Sequence, residues 1–326
     1  MAIASMVLMS AVTVSDLSGL NAAVQRAKGG DEIILAPGDY GMVQFVNAAF
    51  DKPVTIRSQD PRHPARFARL RMLNPRNIIF SDIEITRVRG AEPEWAKLAE
   101  ITGGSDVTIR GGSVHGSLNG SPRDDLSGIF ARKTTRFRVS GVTFKELSVA
   151  LIIEDSNDFT VERSNFSYLG VDSMEIPVAN GAHIIGNRFS DYRPNPGAHP
   201  DAIQCWTVRK PAGCHDVLIS HNVFQGAPGY EFQGVFFGDE AKVGGFDRIE
   251  ISDNIFSGLM WHAIYIGGAG EGIKITNNTI QAGPTMRSWI RTVGPAQLSG
   301  NVAPTYAIAG GNTVPRGNRR GGAFKR

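Results

Sequence analysis

Eight stretches of the chain alternate apolar and polar residues, break at a short polar or glycine step, and then place one more apolar residue. They read "NIIFSDIEIT" (77–86), "DVTIRGGSVH" (106–115), "RFRVSGVTFK" (136–145), "DFTVERSNFS" (158–167), "AHIIGNRFSD" (182–191), "DVLISHNVFQ" (216–225), "RIEISDNIFS" (248–257) and "GIKITNNTIQ" (272–281). Period-two alternation over so few residues predicts short strands. The final apolar positions, Ile85, Val114, Phe144, Phe166, Phe189, Phe224, Phe256 and Ile280, are 29, 30, 22, 23, 35, 32 and 24 residues apart. A base period of 22 to 24 residues with insertions predicts a parallel β-helix, an all-β solenoid in which each coil supplies two or three short strands. Asn187, Asn222, Asn254 and Asn278 stand two places before their anchors. That column predicts a stacked ladder, because Asn accepts left-handed turn geometry and its amide bonds coil to coil.

The ends of a solenoid need closing. In "SDLSGLNAAVQRAKGGDEIILAPGDY", Ser15 or Asp16 can cap a short helix with Leu17, Leu20, Ala23 and Val24 on one face and Gly29 at its end. This opening resembles the N-terminus of pectin-lyase-like right-handed β-helix proteins, most of all the branch of chondroitinase B-type lyases, alginate lyases and alginate epimerases. The resemblance covers about residues 14–305. It implies a single-stranded right-handed parallel β-helix with an N-terminal capping helix, in a superfamily of polysaccharide lyases, hydrolases, epimerases and phage tail depolymerases. The expected organisation is a strand and capping helix (1–30), the β-helix (31–305) and a Gly/Arg-rich C-terminal tail (306–326) that reads as loose.

A second strand per coil aligns as "SGIFAR" (127–132), "VALIIE" (149–154), "DSMEIP" (172–177), "DAIQCW" (201–206), "QGVFFG" (233–238), "HAIYIG" (262–267) and "SWIRTV" (288–293). Third and fifth positions are mostly apolar and predict the core side; the fourth and sixth then face outward. The outward face collects Glu175, Gln204, Trp206, Phe236, Tyr265 and Arg291, and first positions add Asp172, Asp201, Gln233 and His262, with His199 at the rim. Aromatic faces stack on sugar rings while amides and charges bond hydroxyls, so this mixture predicts an oligosaccharide surface. Like positions of adjacent coils are about 4.8 Å apart, which sets Asp172 against Asp201 and Glu175 against Gln204. Crowded carboxyls push one another's pKa up, and a raised acid beside an ionised base is what glycoside hydrolysis requires. The 35- and 32-residue steps add loops that can wall a cleft here, in which Glu231, Asp239 and Glu240 read as turn-shaping.

Composition narrows the class. Hydrophobic residues make up 41% and charged residues 20%, the net charge is +3, and glycine numbers 38. No nucleic-acid footprint and no membrane span are expected. The mildly apolar "MAIASMVLMSAVTV" lacks a basic leader region, so no clear signal peptide is read there. Cys205 and Cys214 are either bridged or separately buried, and no metal spacing is present.

The leading expectation is a polysaccharide depolymerase of extracellular or virion-associated location. Its catalytic residues are sought among Asp201, Asp172, Glu175, His199 and His262, and its substrate contacts among Gln204, Trp206, Gln233, Phe236, Tyr265 and Arg291. Paired-carboxylate hydrolysis leads. A first alternative is β-elimination on a uronic-acid polymer, with His199, His262 or Tyr265 as base. The second is a non-catalytic glycan-binding virion spike, with homotrimeric assembly. No cofactor is required; a Ca²⁺ held by Asp172, Glu175 and Asp201 is the lesser option.

Overall fold

The computed structural model describes residues 10–93, 95–268, 270–283 and 288–322. The stretch 1–9, the last four residues and the short stretches between these ranges lie outside the described residues. The chain winds into stacked coils whose strands pair with the equivalent strand one coil away, all in parallel. One face is a 12-stranded parallel sheet running from Ala11–Val14 to Gln297–Ser299 in coil order. The expected anchor column is realised residue for residue: Ile85, Val114, Phe144, Phe166, Phe189, Phe224, Phe256 and Ile280 follow one another in register. From Phe144 to Phe256 the buried rings stack at 4.8, 4.9, 4.8 and 4.4 Å, so the coil repeat is also an aromatic repeat.

The asparagine ladder is present and longer than expected. The amide of Asn187 bonds Asn222, Asn222 bonds Asn254, Asn254 bonds Asn278, and the series continues through Asn301 to Asn318, with Nδ2–Oδ1 distances of 2.8–3.1 Å. The left-handed turn falls one place earlier than expected. Gly186, His221, Asp253, Asn277, Gly300 and Gly317 all have positive φ, and the ladder asparagines follow them. At position 300 a side chain would also meet Asn277 Oδ1 at 2.1 Å, so glycine satisfies two demands.

At the N-terminal end the helix Leu17–Arg26 covers the first coil, burying Leu20 and Val24; Asp16 caps it, accepting the Gly19 N–H at 2.7 Å. The helix stops at Arg26 rather than at Gly29, because Ala27 already adopts extended geometry. At the C-terminal end the stretch read as a loose tail is wound into the solenoid. Tyr306 is fully buried, Arg319–Arg320 pairs with Val302–Ala303, and Asn318 is the last rung of the ladder.

Candidate active site

The face of interest takes one strand from each coil: Lys97–Thr102, Ser127–Arg132, Leu151–Glu154, Met174–Glu175, Asp201–Trp206, Gln233–Gly238, His262–Ile266 and Trp289–Thr292. Its outward column runs Glu100, Phe130, Ile152, Glu175, Gln204, Phe236, Tyr265, Arg291 in unbroken register. Glu175 and Gln204 are therefore neighbours as expected, and Trp206 lies two residues beyond Gln204 on the same side. The Phe236 and Tyr265 rings stack at 4.9 Å, and the Arg291 guanidinium sits 5.5 Å from the Tyr265 ring centre. All six are at least partly exposed.

The first-position residues do not share that surface. Asp201 is 0% exposed, Gln233 4% and Asp172 6%. Position one has the parity of the inward positions three and five, so these side chains turn under the sheet edge. There they form a buried polar column. Asp172 Oδ1 accepts the Asp201 N–H at 2.7 Å, and Asp201 Oδ2 accepts Gln204 Nε2 at 2.9 Å. Asp201 also bonds the Gln233 side chain, whose Oε1 meets His262 Nδ1. Asp201 Oδ1 is buried without a partner among the described residues. Burial raises both carboxyls, and the Asp172 charge further opposes ionisation of Asp201; Asp172 is pushed up to about 8 by burial and by Glu175. The buried Tyr192, its hydroxyl bonded to Ser173, closes the column from behind.

This pair has a consequence for stability. A carboxyl raised in the folded state costs nothing below its unfolded value near 3.8 and destabilises progressively as pH climbs to its folded value. Asp172, Asp201 and Glu175 all push in this direction. Wild-type thermal stability should therefore fall between about pH 4 and pH 8, by a few kcal/mol, and Asp172→Asn should flatten that slope. Calorimetry at pH 5.5 and 8.5 checks it, and a parallel decline in both proteins would refute the assignment.

Glu175 is the carboxyl that reaches the open face. Burial raises its pKa; the Lys97 ammonium, the Trp206 indole N–H and Lys210 oppose the rise, while Glu154 adds to it. Lys97 starts the strand three coils earlier, and burial depresses its pKa. Glu154, one coil before Glu175 and two places further along, carries its charge in ion pairs with Lys210 at 2.5 Å and Arg132 at 3.7 Å. Lys210 also lies 5.1 Å from the Trp206 ring centre. Lys97, Glu154 and Lys210 were not among the expected site residues. Glu154 stands in the sixth-position column beside Arg132, a signal the sequence carries; Lys210 belongs to a loop, which strand alignment ignores.

The histidines separate. His199 is exposed on the loop before Asp201. His262 is half-buried among Phe236, Tyr265 and Trp289, and burial with the nearby Arg291 lowers its pKa to about 4, so it is neutral. A register shift between His262 and Ile264 tilts it off the inward column and pairs it with Trp289 rather than Ser288.

The two inserted loops stand beside this face, joined by Arg193, which lies 4.6 Å from the Tyr168 ring centre and 4.3 Å from that of Tyr230. Cys205 and Cys214 are bridged. Asp239 shapes a turn by accepting the Val243 and Gly244 N–H groups. Among the described residues no group of three or more His, Cys, Asp or Glu is arranged to hold a metal, and no helix is long and apolar enough to cross a membrane.

A family model described as right-handed β-helix region matches residues 127–301. Among curated proteins none matches the chain. Solved structures with similar folds include an alginate lyase from Paenibacillus sp. str. FPU-7, with TM-score 0.52 and 16% identity over 97% of this chain and 99% of that one. The Dettilon tailspike protein gives TM-score 0.59 and 12% identity over 93% and 62%. The family 28 exopolygalacturonase of Yersinia enterocolitica gives 0.50 and 11% over 92% and 78%. These likenesses carry the fold, and they span lyase, hydrolase and tailspike alike.

Proposed function

The chain belongs to the right-handed β-helix family, and on that premise we propose that it is an enzyme that cleaves a polysaccharide laid along the open face, with Glu175 as proton donor. The observation that carries this reading is the contrast between two neighbouring carboxyls. Burial raises the Glu175 carboxyl above its ordinary range and so favours its protonated form, whereas Glu154 is ion-paired to Lys210 and Arg132. From strand geometry their Cα atoms are about 8 Å apart, room for a glycosidic bond between the two carboxyl groups. In hydrolysis Glu175 would protonate the glycosidic oxygen as the C–O bond breaks. Glu154 would take the proton from the attacking water or attack the anomeric carbon itself. Gln204 and Trp206 fix the sugar at the point of cleavage, and the Phe236–Tyr265 stack with Arg291 supports the chain beyond it. Asp172 and Asp201 support this site from beneath, through the Gln204 amide.

A second reading rests on Lys97, whose pKa is depressed by burial and whose charge acts on Glu175. On a uronic-acid polymer that amine, in its neutral form, could take the C5 proton while Glu175 gives its proton to the departing glycosidic oxygen, leaving a C4–C5 double bond. The disulfide suits an oxidising compartment, and we place the protein outside the cytoplasm.

The test is digestion of a panel of neutral and acidic bacterial and algal polysaccharides, following reducing ends and the absorbance of unsaturated uronates together. New reducing ends without unsaturation support Glu175 hydrolysis. Unsaturated product transfers the chemistry to Lys97. Glycan binding without either product defeats the enzymatic reading in favour of a binding spike.

A further inference from the structure

The loop that carries Lys210 is unusual in being tied at both ends. Cys205 closes the strand Asp201–Trp206 from the inside, Cys214 precedes the strand His215–Ser220, and the bridge between them is fully buried. Thr207, also buried, fixes the start of the loop to the next coil: its Oγ1 donates to Asp239 at 3.1 Å and its N–H to Glu240 at 3.2 Å. The Lys210 N–H turns back onto the Thr207 carbonyl at 2.9 Å. From this anchored turn the Lys210 side chain passes beside the Trp206 ring and reaches Glu154, two coils earlier, a span of about 10 Å along the solenoid axis. The side chains of the pair are only 12% and 17% exposed, unlike the surface ion pairs elsewhere on the molecule. A lysine held this way spends side-chain entropy on a fixed position.

We infer that residues 207–213 form a strap clasped by the Cys205–Cys214 bridge, and that Lys210 is a positioning residue which seats Glu154 and Trp206 on either side of Glu175. The inference rests on the reading above that Glu175 and Glu154 do the chemistry. Trp206 is the indole donor to Glu175, so a displaced Lys210 would loosen both carboxyls at once. The charged groups that face Glu175 are Lys97, Lys210 and Glu154, with Asp172 and Asp201 beneath it.

Three measurements on the full chain decide it. Acetic anhydride footprinting, read by mass spectrometry, should find Lys210 protected in the wild type. It should become severalfold more reactive in Glu154→Gln, in Cys205→Ser/Cys214→Ser, and after reduction by dithiothreitol. That dithiol supplies two electrons and two protons, leaving two thiols and its own cyclic disulfide. A carboxyl ¹³C NMR titration should show the Glu175 midpoint move up in Lys210→Met and return in Lys210→Arg. On the polymer identified by digestion, Lys210→Met should lower kcat about tenfold or more with a much smaller change in KM, and Lys210→Arg should restore most of it. Equal Lys210 reactivity with and without the bridge overturns the clasp, and an unmoved Glu175 titration in Lys210→Met overturns the positioning role. Should the double serine variant not fold, Lys210→Met and Glu154→Gln still decide. If no polymer is cleaved, the enzymatic reading fails, while footprint and titration still settle whether the strap seats Lys210.

Discussion

Glu175→Gln is expected to lower turnover about 10²- to 10⁴-fold, the loss that accompanies removal of a general acid. The substitution is nearly isosteric, and the new amide oxygen can still accept the Trp206 indole N–H that Glu175 accepts. What disappears is the transferable proton, so kcat should fall while KM stays close to wild type. Stability should not fall with it. Glu175 is raised by burial, which means its ionised form is a liability in the fold, and a neutral amide removes that liability above neutral pH. Glu175→Gln should accordingly melt at or above the wild-type temperature at pH 8 while being nearly inactive. Asp201→Asn is the informative control, because Asp201 is buried and reaches the open face through the Gln204 amide. Its loss of activity should be the milder of the two. A Glu175→Gln protein within about threefold of wild-type turnover, measured on the cleaved polymer, would remove Glu175 from the chemistry altogether.

The ranking of these two residues shows how far the sequence could be read. Coil period, anchor column and the Glu175–Gln204 neighbourhood all follow from alternation and spacing, because parallel coils stack like positions on like positions. The same rule, applied to position one, should have turned Asp172, Asp201 and Gln233 inward; their polarity argued for the surface and parity won. Glu154 lies on an aligned strand and Lys97 on one before the first aligned, and both matter through charges that reach across coils, which one-column reading does not capture. Lys210 is set by a disulfide whose pairing two cysteines alone left open. The C-terminal stretch misleads for a different reason. Its Arg and Gly content looks disordered, yet Gly317 and Asn318 repeat the turn-and-rung pattern of Gly300 and Asn301.

That repeated pattern makes the ladder the place where one substitution should hurt the fold most. Asn222 is fully buried. Its Nδ2 donates to the Ile184 and Ser220 carbonyls and to Asn254 Oδ1, at 2.9, 3.0 and 3.0 Å. Its Oδ1 accepts the Asn187 N–H at 2.8 Å and the Asn187 amide at 3.1 Å. Asn222→Ala deletes both roles and leaves buried donors on one neighbour and acceptors on the others, each costing about 1–3 kcal/mol when stranded without water. A total loss of about 3–6 kcal/mol follows, lowering the melting temperature by about 4–9 °C for a chain of this size. In a solenoid, stability is held in interfaces between neighbouring coils, so a broken middle rung uncouples the coils on its two sides. Asn318→Ala breaks a rung too, but at the end of the stack, where the side chain is only partly buried and has no further ladder partner beyond it among the described residues. Its cost should be a fraction of the Asn222→Ala loss, and unfolding should stay a single transition. Equal losses at the two positions in calorimetry would mean that the asparagines act as local turn caps; a steep gradient from middle to end is what a continuous ladder requires.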